Sequence, residues 1–284
     1  MGWPLLPALI YVMSVAWLDL QLHFEQYNFP VTIVTVLGTV IGLILAFRTN
    51  SAYARWWEAR TLWGAIVNDS RTWTRQLLQF VGSQEDHADV VRRMGYRQIA
   101  WCYALCRSLR EQTPTEDMHT LLDADEVNSY RIANNVPNAL LLRQAEELRE
   151  LYDANALELF AWVELERTLV RLTNSMGGCE RIKKTVFPTS YSHMVHGLMF
   201  VFVALLPFGL ANVPSIGLVF ISMLLAFAFL LIDRVSIYLQ DPFNDQPSDT
   251  PMLSLSRTIE INIKQMLEET ELPKPMQPVD GVLM

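Results

Sequence analysis

Long uncharged apolar runs lie on either side of one long charged segment in this chain. No Asp, Glu, Lys or Arg occurs in the 19 residues of Phe29–Phe47 or in the 38 residues of Val195–Ile232. An α-helix rises about 1.5 Å per residue, so roughly 20 apolar residues cross the hydrocarbon core of a bilayer. The first run therefore predicts one transmembrane helix. The second predicts two, separated at Asn212-Val213-Pro214, because proline lacks a backbone donor and disfavours helix in the residue before it.

A shorter apolar block, Leu5–Leu18, spans 14 residues near the start of the chain. A signal peptide is the alternative interpretation, but no Lys or Arg precedes the block and no small-residue cleavage site follows it. We interpret it as a first transmembrane helix whose natural start is shortened. The pattern thus predicts four transmembrane helices per subunit.

The helical pattern continues beyond the second apolar run. Ala52–Val81 contains no proline and carries apolar residues at helical spacing, so the second transmembrane helix is expected to continue as one long helix. Further helices are predicted over Asp89–Arg110, Asn138–Ser175 and Arg257–Glu269, and almost nothing is typical of a strand. The predicted class is an all-α integral membrane protein with a large helical cytosolic domain. The predicted divisions are 1–47 (transmembrane helices 1 and 2), 48–190 (cytosolic domain), 191–233 (transmembrane helices 3 and 4) and 234–284 (cytosolic linker, helix and tail).

Positive charge is distributed very unevenly. Of the 22 Lys and Arg residues, none lies in residues 1–47, and most lie between Arg48 and Lys184. Cytoplasmic segments next to membrane helices collect Lys and Arg. Both termini and the middle segment are therefore predicted to face the cytoplasm, with the connectors Gln21–Asn28 and Asn212–Pro214 outside. The net charge of −8 argues against nucleic acid as a partner.

Residues that often carry chemistry form no enzyme constellation in this sequence. There is no phosphate-binding glycine loop, nucleophile elbow or metalloprotease motif. Cys102 and Cys106 are four residues apart without a matching pair nearby, which favours packing over metal binding. His193 and His196 are better explained by hydrogen bonding at a helix end than as metal ligands. We predict neither an enzyme nor a cofactor.

One face of the second transmembrane helix has an unusual composition. Thr32, Thr35, Thr39, Leu43 and Phe47 recur at intervals of three or four, so they share a helix face. One interpretation is that the threonines bond to their own backbone carbonyls, as they often do in membrane helices. The other is that several copies surround a pore with a wet entrance and a hydrophobic constriction. Periodicity alone does not separate the two.

The segment that follows favours the pore interpretation. Phe47–Arg60, with the sequence FRTNSAYARWWEAR, resembles the signature of the bestrophin family. Further matches occur in the same order along the chain at Pro188–His193, Asp241–Phe243 and Arg257–Glu260. The resemblance covers nearly the whole chain and includes the same four-helix plan.

The resemblance implies a homopentameric ion channel whose second helix lines a narrow hydrophobic neck. When the phenylalanine that ends the neck in the family is aligned with Phe47, the neck positions fall on Thr39, Leu43 and Phe47. Thr32 and Thr35 then lie at the pore entrance. Threonine at the first neck position would make that ring wider and wetter than is usual in the family. A second, cytosolic constriction is expected at Leu157 or Phe160.

The calcium site of animal bestrophins is only weakly matched here. The corresponding turn offers Asp241, Asp245 and Asp249, which predicts at most weak binding of calcium or another divalent ion, since calcium favours six to eight oxygen ligands. The signature residues are expected to be structural, with their charges paired to one another at a subunit interface. They are Arg48, Asn50, Arg55, Trp56, Trp57, Glu58 and Arg60.

The predicted function is a passive channel for small monovalent ions in the inner membrane of a bacterium. The resemblance implies chloride or another anion, although bacterial members are not all anion-selective, and the acidic net charge would favour cations. A secondary transporter or a membrane scaffold with a partner-binding cytosolic domain is the alternative. Transporters usually show internal repeats and broken helices, and a scaffold would not explain the polar-then-apolar helix face.

Overall fold

The computed structural model describes residues 2–22, 29–81, 87–185 and 187–278, and within these ranges every regular element is a helix. The α-helices are α1 (Gly2–Leu22), α2 (Val31–Phe80), α3 (Ala88–Leu109), α4 (Ala124–Tyr130), α5 (Val136–Asp153), α6 (Leu159–Lys184), α7 (Thr189–Gly209), α8 (Ser215–Gln240) and α9 (Met252–Met266), and a short 3-10 helix covers Glu116–Thr120. The predicted all-helical class is confirmed.

Four of these helices are apolar, as the hydropathy pattern predicts. Helices α2, α7 and α8 are long and apolar enough to cross a membrane, while α1 contains a shorter apolar stretch, Leu5–Gln21. The predicted break between α7 and α8 is confirmed, with Pro214 directly before Ser215, the first residue of α8. The connector between α1 and α2 lies mostly outside the described residues.

The second helix runs without interruption for 50 residues, from the apolar run far into the charged segment. No proline occurs within it, so no backbone donor is missing. The prediction of one continuous helix is confirmed.

The chain divides into two compact units. The membrane unit comprises residues 1–55 and 186–240, and the charged unit comprises residues 56–185 and 241–284. The divisions predicted from the sequence lie at residues 47, 190 and 233. The structural divisions lie further along α2 and α8, at residues 55 and 240, where the Arg55 guanidinium donates to the Gln240 carbonyl.

The core of the membrane unit forms between α2, α7 and α8. Its buried apolar side chains include Val34, Ile41 and Leu45 of α2 and Met199 and Phe202 of α7. Helix α1 is joined to α7 by a hydrogen bond from the Tyr11 hydroxyl to the Ala204 carbonyl, 2.6 Å away.

The core of the charged unit surrounds α3, most of whose residues are buried. The indoles of Trp63, Trp73 and Trp101 lie inside it. Helices α5 and α9 pack against α3. The cysteines Cys102, Cys106 and Cys179 are buried and free, which confirms the packing interpretation.

The predicted long helix over Asn138–Ser175 is wrong, because α5 ends at Asp153 and α6 begins at Leu159. Asn155 lies between them with φ of 57°, in the left-handed region. Asparagine tolerates that conformation better than most residues, so a pattern of apolar spacing alone did not reveal the break.

Candidate functional site: the exposed face of α2

The predicted stripe on α2 lies on the exposed face of the helix. Thr32, Thr35, Thr39, Leu43 and Phe47 are all exposed within one subunit. Leu43 is 58% exposed and Phe47 is 63% exposed, although both are large apolar side chains. Exposed apolar side chains in a row mark a surface that contacts lipid, another protein or a dewetted passage.

The opposite face of α2 determines which way the stripe points. Val34, Ile41 and Leu45 are buried. At Gly38, an added Cβ would lie 3.0 Å from the Phe202 ring of α7, so glycine permits the close approach of the two helices. Because this face packs against α7 and α8, the stripe of threonine, leucine and phenylalanine faces the surface of the subunit.

Two threonines of the stripe bond to their own helix. The Thr35 hydroxyl donates to the Val31 carbonyl at 3.1 Å, and the Thr39 hydroxyl donates to the Thr35 carbonyl at 2.9 Å. Each oxygen keeps lone pairs that can accept a hydrogen bond from water. The backbone bonds therefore leave both interpretations of the stripe open.

Arg48 follows Phe47 directly but points away from the stripe. Its guanidinium is 2% exposed and donates to the Asp233 carboxylate of α8 at 2.5 Å. It also donates to the Ser192 hydroxyl of α7 at 3.3 Å. His196 Nε2 lies 3.0 Å from the second oxygen of Asp233. Arg48 and Asp233 are therefore a buried ion pair, and the exposed His196 contacts its carboxylate from the surface side.

Within one subunit, the charged residues of the signature bond to residues outside the signature. Arg48 pairs with Asp233, and Glu58 pairs with Arg181 of α6. The Arg55 guanidinium donates to the Gln240 carbonyl at 3.0 Å. The partners lie far away in sequence, so spacing along α2 could not identify them.

The other signature residues divide between those that contact the turn after α8 and those on the surface. The Trp56 indole donates to the Ser248 carbonyl at 2.7 Å, and the Arg60 guanidinium lies 4.9 Å from the centre of the Trp56 ring. Arg60 also donates to the Asp249 carbonyl at 3.4 Å. Asn50 and Trp57 are exposed. The aromatic part of the signature thus holds the turn after α8.

The three acids of that turn have separate protein partners. Asp241 accepts from the Lys183 ammonium at 3.0 Å, and Asp245 lies 2.6 Å from the Arg110 guanidinium. Asp249 accepts from the Gln246 backbone at 3.0 Å, and burial raises the pKa of its carboxyl despite that bond. Within the described residues, no three His, Cys, Asp or Glu side chains are grouped so that they could hold a metal ion.

The two candidates for the cytosolic constriction differ sharply in exposure. Leu157 is 4% exposed and belongs to the core of the charged unit. Its assignment as a constriction residue is wrong, because a side chain packed in the core cannot face a passage. Phe160, in the first turn of α6, is 83% exposed and retains the candidate role.

Asp233 and the buried Arg97 cluster were missed by the sequence analysis. Asp233 is the first charge after the uncharged run that ends at Ile232, and an ionisable residue at such a place marks a candidate site. Arg97 is 1% exposed and pairs with Glu126 at 2.5 Å and with Glu147. No local pattern distinguishes it from the neighbouring exposed arginines of α3.

Comparison with known proteins agrees with the family indicated by the signature. A family described as Bacterial/Fungal Bestrophin protein matches residues 3–265. A voltage-dependent anion channel-forming protein of Ralstonia nicotianae is 32% identical over 277 residues, covering 94% of this chain and 89% of that protein. One from Escherichia coli K12 is 31% identical over 244 residues, covering 86% and 79%. The crystal structure of a bacterial bestrophin homologue from Klebsiella pneumoniae has a TM-score of 0.85 at 29% identity, covering 94% of this chain and 98% of that one.

Proposed function

The chain belongs to the bestrophin family, and on that basis we propose that it is a passive channel for small monovalent ions. The proposal assembles five copies around one axis, with the exposed face of α2 lining the passage. The observation that carries it is the outward stripe of Thr32, Thr35, Thr39, Leu43 and Phe47 on a helix whose other face is packed. The comparisons support a channel rather than an enzyme.

The proposed gate is a hydrophobic neck at Thr39, Leu43 and Phe47. Apolar rings of this kind close a passage by excluding water, so no charged side chain has to move. The hydroxyls of Thr32 and Thr35 form the wet entrance, because each oxygen can still accept from water. Phe160 is proposed to form a second, separate ring.

Exposed apolar side chains support assembly from several subunits. On the charged unit, large apolar residues are exposed before α5, on α5 and along α6, including Ile132, Leu142, Leu159, Phe160, Val163 and Val170. Monomeric soluble surfaces rarely group such residues, and closed rings of identical subunits cover them. The homopentamer is the assembly that we propose.

The proposed location is the bacterial inner membrane with both termini in the cytoplasm. Support comes from the absence of Lys and Arg in residues 1–47 and their concentration between Arg48 and Lys184. The apolar helices α1, α2, α7 and α8 supply the membrane-spanning part.

Ion selectivity has two opposing indications. The relatives from Ralstonia and Escherichia are described as anion channel-forming proteins, which favours anions. The net charge of −8 per chain would raise the local concentration of cations at low salt. The neck itself carries no charge, so the sign of the conducted ion is decided outside it.

The test is the reversal potential of purified protein in a planar bilayer under a NaCl gradient. A channel gives currents that reverse near the chloride or the sodium equilibrium potential, and the direction assigns the selectivity. Folded oligomers without current would reject the channel and favour the scaffold. Current that depends on a coupled solute gradient would favour the secondary transporter.

A further inference from the structure

A cavity of about 660 Å³ lies within the membrane unit, between α1, α7 and α8. Most of its wall is apolar, formed by side chains such as Phe200, Phe202, Phe229 and Leu230. The bond from Tyr11 to the Ala204 carbonyl holds α1 in place as its third wall. Its volume falls in the range of about 300–1,000 Å³ that is typical of ligand pockets.

One part of the cavity wall is polar and carries surplus positive charge. His196, Asp233 and Arg234 lie there. Asp233 already uses one oxygen for Arg48 and the other for His196, so its charge is compensated. Arg234 is exposed, and among the described residues it has no hydrogen-bond or ion-pair partner. The polar part therefore offers an unpaired guanidinium beside an imidazole.

We propose that this cavity binds an anionic phospholipid, with an acyl chain along the apolar wall and the phosphate bound by Arg234. Arginine binds phosphate well because its planar group presents several donors. Basic pockets between membrane helices bind anionic lipid headgroups for the same reason. A cationic amphiphile is disfavoured, because both Asp233 oxygens already have partners.

The proposed lipid site and the proposed passage are lined by different residues. The cavity is lined by α1, α7 and α8 and not by the α2 stripe. A failure of the lipid proposal would leave the proposed channel untouched, and a protein without currents could still bind the lipid. The readout is therefore lipid binding and not current.

The test uses the purified full chain and two lipids with identical acyl chains, dioleoylphosphatidylglycerol and dioleoylphosphatidylcholine. Retained lipid is counted by native mass spectrometry, and affinity is taken from the shift in thermal unfolding midpoint as each lipid is added. The wild type is expected to prefer the anionic lipid. Arg234→Gln is expected to reduce that preference about fivefold. Arg131→Gln is the matched control, since Arg131 is an exposed arginine on the charged unit.

A second variant tests the apolar part of the cavity. Ala8 lines it, so Ala8→Phe is expected to reduce retention of both lipids while leaving their ratio unchanged. Equal binding of the two lipids by the wild type would overturn the proposal. An equal loss of the preference for the anionic lipid in Arg234→Gln and Arg131→Gln would also overturn it. So would a wild type that retains no lipid, which is the result expected if a neighbouring subunit fills the cavity.

Discussion

Arg48 and Asp233 form a buried ion pair, 2.5 Å apart, that joins α2 to α8. The pair lies one residue beyond Phe47, the last residue of the proposed neck. Because Arg48 also donates to Ser192 of α7, one side chain connects three helices of the membrane unit. We infer that this contact fixes the rotation of α2 and therefore the direction of its exposed stripe.

Breaking this pair on one side is expected to destabilise the protein strongly. Asp233→Asn leaves the Arg48 charge buried without compensation, at a cost of about 3–5 kcal/mol in the free energy of unfolding. The double variant Arg48→Met with Asp233→Asn should lose much less unfolding free energy than the sum of the losses in Arg48→Met and Asp233→Asn. Thermal unfolding of the four proteins in detergent measures the coupling. Additive losses would show that the two side chains act separately.

Shortening Leu43 is expected to raise single-channel conductance. Leu43 is exposed on the stripe, so Leu43→Ala widens the proposed neck without opening a cavity in the core. Ile41→Val is the control, because Ile41 is buried on the opposite face and its change affects packing only. Unchanged currents in a folded Leu43→Ala pentamer would reject the pore assignment.

Two arginines of α3 are expected to differ greatly in their contribution to stability. Arg97 is buried between Glu126 and Glu147, so Arg97→Met leaves Glu126 without its ion-pair partner and Glu147 with Arg93 alone, at a cost of about 3–5 kcal/mol. Arg92 is exposed and pairs with Glu269, so Arg92→Met should cost about 0–1 kcal/mol. Denaturant unfolding monitored by circular dichroism compares them. Similar losses would contradict a special role for the buried cluster.

The Arg97 cluster also predicts a dependence of stability on pH. Burial by itself would raise the pKa of Glu126, but the hydrogen bond and charge of Arg97 lower it below its ordinary value of 4.5. A lowered pKa in the folded state contributes stability that is present above pH 4.5 and is lost as the pH falls through the folded value. Unfolding midpoints between pH 6 and pH 3 should therefore fall more steeply for the wild type than for Arg97→Met. Parallel curves would argue against the pairing.

The three cysteines are expected to resist alkylation in the folded protein. Burial raises the pKa of each thiol to about 12, so almost no thiolate forms at neutral pH. Iodoacetamide should modify Cys102, Cys106 and Cys179 only after denaturation, which intact mass spectrometry detects. Rapid modification of native protein would mean that the charged unit opens readily.

Micromolar calcium is expected to leave conductance and thermal stability unchanged. Asp241 and Asp245 are already compensated by Lys183 and Arg110, and a calcium ion would have to displace these cations. Paired bilayer recordings with calcium and with a chelator test this expectation. Strong activation would show that the turn rearranges to bind the ion.

Hydropathy by itself predicted most of the fold, because the cost of placing backbone and charge in lipid strongly constrains the sequence. The break at Pro214, the continuous α2 and the Thr39–Leu43–Phe47 face all follow from short-range rules of spacing and propensity. The break between α5 and α6 does not, since it depends on the backbone conformation of Asn155.

Only the tertiary structure decided which charged groups meet. Arg48 pairs with Asp233, and Glu58 pairs with Arg181. More than a hundred residues of sequence separate the members of each pair, and local periodicity carries no information at that separation. The same limit explains Leu157, which the family resemblance placed at a constriction and which packing places in the core. Spacing along the chain determines which side chains share a face of one helix, and the packing of helices against one another determines what that face contacts.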